Sequence, residues 1–221
     1  MSLLLTAIPV ACAPGTTART VLLVHGYRGE PSAFAAMQAG LWAAGIPSVV
    51  VDLPGEDNVV NAGAIRDAAE RIVRAGGPGT TVDVVAHSMG GLSARWFAKY
   101  LGGSAPGASP LLANYVSLGT PQYGLPATCD LAPANGGQMC PTGVFLAQLN
   151  EGDDTPGATA YTTIFSAHDG LVPTSASRLD GGACLVEVIG VNHFALRTQA
   201  AVLDRIVRAL RGECPGRIGP G

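Results

Sequence analysis

Val82-Asp83-Val84-Val85-Ala86-His87-Ser88-Met89-Gly90-Gly91 decides the fold of this 221-residue chain. Apolar, β-branched residues run straight into a serine set among small residues, and a segment of helical character follows. This is the sequence form of a nucleophile elbow, a sharp strand-to-helix turn that holds a serine in strained geometry with its hydroxyl exposed. Gly90 lets the helix approach the strand, because a side chain there would collide with the turn. Ala86 stands where Gly-x-Ser-x-Gly has its first glycine, so the motif reads Ala-x-Ser-x-Gly. A methyl group still fits.

Outward from the elbow, six apolar runs predict strands: Thr20–Val24, Ser48–Asp52, Thr81–Ala86, Asn114–Leu118, Tyr161–Phe165 and Cys184–Ile189. Helical periodicity lies between most of them. Pro31–Ala44 puts Phe34, Met37 and Leu41 on one face, with proline where a first turn tolerates it. Asn61–Ala75 aligns Ile65, Ala69, Ile72 and Val73, with Asn61 as the expected cap. Gly91–Leu101 and Leu196–Leu210 show the same spacing, and Gly76-Gly77-Pro78-Gly79 breaks the chain before the third strand. The alternation predicts an α/β fold of about six mostly parallel strands with helices on both faces. A composition 48% hydrophobic and only 13% charged suits a sheet buried on both sides.

Residues 14–221 read as a single domain with an irregular insertion at about 119–160, where one helical stretch, Val144–Asn150, interrupts prolines, glycines and two cysteines. The tail after Gly212 is expected to fray. No apolar run is long enough to span a membrane. A net charge of −3 without a basic cluster argues against nucleic acid as a partner.

The five cysteines are Cys12, Cys129, Cys140, Cys184 and Cys214. Cys12 lies in residues 1–13, which read either as the end of a secretory signal or as a short apolar arm. Without that segment four cysteines remain, an even set suited to an oxidising compartment and to secretion. Cys129 and Cys140 bracket a Pro/Gly/Asn loop and form the expected pair; Cys184 with Cys214 follows by elimination. No Cys-x-x-Cys or His/Cys cluster suggests zinc, and no acidic motif has calcium-ligand spacing.

A serine hydroxyl is a poor nucleophile until a base takes its proton and an acid orients that base. His193, in Val191-Asn192-His193-Phe194, follows the last expected parallel strand and should project from the carboxyl edge of the sheet over Ser88. The acid should lie between serine and histidine at the end of the preceding strand, which selects Asp169 in Phe165-Ser166-Ala167-His168-Asp169-Gly170. Asp153, Asp154 and Asp180 read as solvated turn residues. An oxyanion hole needs two backbone N–H groups. Met89, after the nucleophile, supplies one; Tyr27, in the His25-Gly26 turn after the first strand, supplies the other.

These residues resemble the small bacterial triacylglycerol lipases of the α/β-hydrolase superfamily, both the compact lidless and the secreted actinomycete kinds. The resemblance rests on Val24-His25-Gly26, Ala86-His87-Ser88-Met89-Gly90-Gly91, Val116-Ser117-Leu118-Gly119-Thr120-Pro121, Asp169 and Gly190-Val191-Asn192-His193, and extends over Thr20 to Leu210. It implies a Ser88–His193–Asp169 triad with Tyr27 and Met89 amides, no cofactor, and an acyl ester or lipid substrate. It further implies a monomer that meets a lipid interface only transiently. Residues 119–160 exceed what the lidless kind has, which leaves lid and groove wall both open. Polyester hydrolysis or acyl transfer at the same site is the alternative chemistry. A non-catalytic binding module on the same fold is the remaining one.

Overall fold

The computed structural model describes residues 19–104 and 110–220; the signal-like segment 1–13 lies outside them. One seven-stranded sheet organises the chain, in the order β2-β1-β3-β4-β5-β6-β7. The strands are β1 (Thr20–Val24), β2 (Ser48–Val51), β3 (Val82–His87), β4 (Leu112–Leu118), β5 (Ala160–Phe165), β6 (Cys184–Glu187) and β7 (Arg217–Ile218). The first six run parallel, and β7 joins β6 antiparallel. The helices are α1 (Ala35–Ala43), α2 (Asn58–Gly76), α3 (Met89–Tyr100), α4 (Val144–Leu149), α5 (Thr174–Ser177) and α6 (Ala200–Leu210).

Both faces of the sheet are buried, because side chains alternate along each strand. In β1, Leu22 and Val24 join a core with Ile65 and Ala69 of α2, Leu92 and Phe97 of α3, and Phe145 of α4. Val21 and Leu23 face the opposite core, with Met37 and Leu41 of α1 and Val202 and Ile206 of α6. The continuous apolar runs of the sequence thus serve two cores at once.

Four expectations are corrected. The sheet has seven strands rather than about six, and the tail is held in place from Glu213 to Pro220. Gly219 N–H donates to Ala183 O and Gly182 N–H to Pro220 O, both at 2.8 Å, while Cys214 is bonded to Cys184. Asp57, not Asn61, caps α2: its carboxylate accepts from the Val59 and Val60 amides at 2.9 and 3.0 Å. Asn61 is buried inside that helix, its Nδ2 donating to Gly55 O. The run Leu196–Leu210 is split into a 3₁₀ turn at Ala195–Arg197 and α6, which starts only at Ala200.

Candidate active site

At the end of β3 the chain turns through Ser88 with φ 54° and ψ −132°, and α3 begins at the next residue. Ser88 and Arg28 are the non-glycine residues of positive φ among the described residues. Such a conformation costs on the order of 1–3 kcal/mol and persists only where its surroundings enforce it. Here they do. A Cβ on Gly90 would stand 2.2 Å from the His25 carbonyl oxygen, so the turn closes only with glycine at that position. Ser88 itself is half-buried, with its neighbours His87 and Met89 fully inside.

Asp169 follows β5 and His193 follows β6, and the two side chains meet. His193 Nδ1 lies 2.9 Å from Asp169 Oδ2 and 3.0 Å from Oδ1, and both residues are buried. The His193 backbone N–H also donates to Asp169 O at 2.8 Å. Burial pushes the Asp169 carboxyl up. The hydrogen bond from His193 and the Val172 and Leu171 amides, at 2.7 and 3.0 Å, outweigh it and hold the group below its ordinary range. An ionised carboxylate on Nδ1 fixes the tautomer and leaves Nε2 as the proton acceptor. Gly119, at φ 56°, makes room beneath the pair, since a Cβ there would lie 2.8 Å from Asp169 Oδ2 and 3.2 Å from His193 Nδ1. The Leu118-Gly119-Thr120-Pro121 stretch therefore has a steric reason to carry glycine.

Ser88 and His193 line one cleft of about 520 Å³ at the carboxyl edge of the sheet. The Ser88 hydroxyl and the His193 ring face the same cleft without a hydrogen bond between them, and His193 bonds instead to Asp169. The amides of Tyr27 and Met89, expected as a donor pair, have no backbone acceptor among the described residues. Both residues neighbour Ser88, Met89 as the first residue of α3 and Tyr27 in the wall of the cleft.

Two arrangements around this site were not legible in sequence. The first braces the Tyr27 turn: Arg28 N–H donates to Glu56 Oε1 at 2.8 Å, and Glu56 forms a β-bridge with Asn135. Asn135 accepts in turn from the Tyr27 hydroxyl at 3.4 Å. Asn135 lies in the loop closed by the Cys129–Cys140 disulfide, whose Leu131 and Met139 line the cleft. The second corrects the reading of Asp154 as a solvated turn residue. Its carboxylate meets Arg95 of α3 at 2.7 Å, with both side chains largely buried, and accepts from Tyr123. Asp153 and Asp180 are exposed, as expected. Among the described residues no group of three or more His, Cys, Asp or Glu is placed to hold a metal ion, and no helix is long and apolar enough to cross a membrane.

No family model matches the chain. A Bacillus licheniformis lipase in its mature form superposes with a TM-score of 0.74 at 20% identity, over 92% of this chain and 96% of that one. Aspergillus fumigatus lipase B gives 0.72 at 18% identity, over 97% of this chain but 57% of its own. A metagenomic carboxyl esterase gives 0.70 at 15% identity, over 94% and 80%. The fold is the α/β-hydrolase fold. The chain spans little more than half of the fungal lipase, and 53% of the Bacillus lipase in its propeptide form. In this α/β-hydrolase sheet β1 is flanked by β2 and β3, so the chain reverses direction between β2 and β3. Open α/β sheets place ligands outside the carboxyl edge at such a switch point, and Ser88 stands there.

Proposed function

We propose that the chain is a serine carboxylester hydrolase, a lipase or esterase. The observation that carries the reading is the buried Asp169–His193 pair opening onto the same cleft as a serine held at φ 54°. In this mechanism His193 Nε2 takes the Ser88 proton as Oγ attacks the ester carbonyl. The Tyr27 and Met89 amides hold the oxyanion. His193 then protonates the departing alkoxide, and water repeats the sequence on the acyl-enzyme to release the acid. Asp169 fixes the tautomer and stabilises the imidazolium. The leucine and methionine side chains of the cleft suit an acyl chain. Two disulfides favour an extracellular location for the mature chain.

Hydrolysis of p-nitrophenyl butyrate tests the reading. Wild type should turn it over, and Ser88→Ala should lower kcat on the order of 10⁴-fold or more without unfolding the protein. Equal activity in the variant would exclude Ser88 as the nucleophile.

A further inference from the structure

His87 is a buried, titratable side chain that the proposed mechanism does not use, although it adjoins the nucleophile. Its Nε2 lies 2.9 Å from the backbone carbonyl oxygen of His193. A carbonyl only accepts, so His87 carries its proton on Nε2 and donates. The two imidazole rings also pack together, with centroids 4.5 Å apart and planes inclined at 49°. Burial first, and the neighbouring His193 second, depress His87 to about 3, which keeps the ring neutral. Around it stand His193 and the Asp169 carboxylate, with the Arg197 guanidinium nearby.

His193 sits in a loop just beyond β6, and a base on a loop has no helix or strand to fix it. Its backbone is instead held at both polar groups. The N–H donates to Asp169 O, and the C=O accepts from His87. The Asp169 bonds fix one side of the loop. Without His87, the carbonyl side would be left unpaired in a buried setting, and the loop would relax to solvate it.

We propose that His87 is a positioning residue for the base: its Nε2–H, donated to the His193 carbonyl, sets the distance and angle at which His193 addresses Ser88. The proposal rests on the hydrolase reading above. It places a functional constraint at the middle residue between Ala86 and Ser88, where the elbow geometry alone demands nothing. His87 contributes to the lining of the cleft but touches no reacting atom, so loss of its donor should appear chiefly in kcat.

The test uses the full chain and p-nitrophenyl butyrate, with rates expressed per active site titrated by a phosphonate ester. His87→Phe keeps a buried ring but has no donor; His87→Gln keeps an N–H at about the reach of Nε2. We expect His87→Phe to lower kcat on the order of tenfold or more with KM changed less than about twofold, and His87→Gln to restore kcat to within about threefold of wild type. A purely structural role would lower thermal stability and leave kcat per titrated site unchanged. If His87→Phe does not fold, His87→Ala against His87→Gln makes the same comparison. Wild-type kcat in the donorless variant, or equal losses in the donorless and Gln variants, overturns the proposal. An inert Ser88→Ala alongside confines that failure to His87, whereas an active Ser88→Ala overturns the hydrolase reading and this proposal with it.

Discussion

Ser88, Asp169 and His193, the proposed triad, stand out in the sequence because each follows the end of an apolar run, and their chain order suggests the proposed roles. Asp169→Asn tests that assignment: an amide can present its N–H to Nδ1, which favours the wrong imidazole tautomer, and kcat should fall on the order of 10⁴-fold. Near wild-type kcat in that variant, measured on a short soluble ester, would mean the acid is misplaced. Activity should rise with pH to a plateau, because only neutral imidazole accepts the Ser88 proton. Asp169 adds no further limb near neutrality, since it is held below the ordinary carboxylate range. His87 acts on stability in the other direction. Its folded value lies near 3 against 6.5 for the free group, so the unfolded chain binds the extra proton between those limits. The stability present above pH 6.5 is therefore lost progressively as pH falls towards 3. Urea unfolding from pH 7 to pH 4 should show a shallower decline in His87→Gln than in wild type; parallel declines would contradict a buried neutral His87. Asp154 shows the limit of reading residues singly. Nothing in a run of Asp153-Asp154-Thr155-Pro156 signals that its partner is Arg95, 59 positions earlier.

The elements were legible where hydrophobic period is strong and less so where backbone polarity decides. The six parallel strands and helices α1, α2, α3 and α6 follow from apolar spacing, which is also what buries them, whereas the four-residue α5 carries no such period. The start of α2 was misplaced because two Asx residues, Asp57 and Asn61, compete for the cap, and spacing alone favoured the one nearer the first repeating contacts. The insertion is different in kind. Residues 119–160 carry short 3₁₀ turns at Pro126–Thr128 and Gly137–Met139 and only one short helix, so no period reveals that they wall the cleft. The Cys129–Cys140 bridge ties the exposed stretch 130–135 of this segment to Met139, which is buried in the core. Closing so short a loop contributes about 3 kcal/mol through the unfolded state. The same loop braces the Tyr27 turn through Asn135 and presents Leu131 and Met139 to the cleft. A Cys129→Ser/Cys140→Ser variant should therefore lose thermal stability, keep turnover of butyrate esters, and lose roughly tenfold in kcat/KM for long-chain relative to short-chain esters. An unchanged chain-length profile would remove the loop from the acyl groove.

At the scale of the whole molecule, the second disulfide closes the structure at the end of the sheet away from the site. Cys184 opens β6, and Cys214 follows α6, so the bridge ties the last helix and the tail to the sheet. The tail resisted sequence reading for a physical reason. Glu213 to Gly219 has almost no apolar pattern, and it is held by the bridge and by backbone hydrogen bonds to Ala183 and the Leu185 strand. A bridge with a sequence separation of 30 residues contributes about 3.5 kcal/mol in the chain-entropy picture, somewhat more than the shorter Cys129 loop. The two together come to about 6.5 kcal/mol, comparable with the whole net stability of about 5–15 kcal/mol of an ordinary domain. Full reduction should therefore bring the folded state close to its threshold, whereas each bridge alone should be dispensable for folding. Cys184→Ser/Cys214→Ser should lower the calorimetric midpoint on the order of 10 °C while leaving kcat at 25 °C near wild type, because Ser88 lies at the opposite edge of the sheet. The doubly bridgeless protein should accumulate far less in a reducing cytoplasm than wild type does in an oxidising compartment. A midpoint within about 2 °C of wild type for the Cys184/Cys214 variant would show that native contacts, not the cross-link, hold the tail, and would remove this argument for an extracellular location.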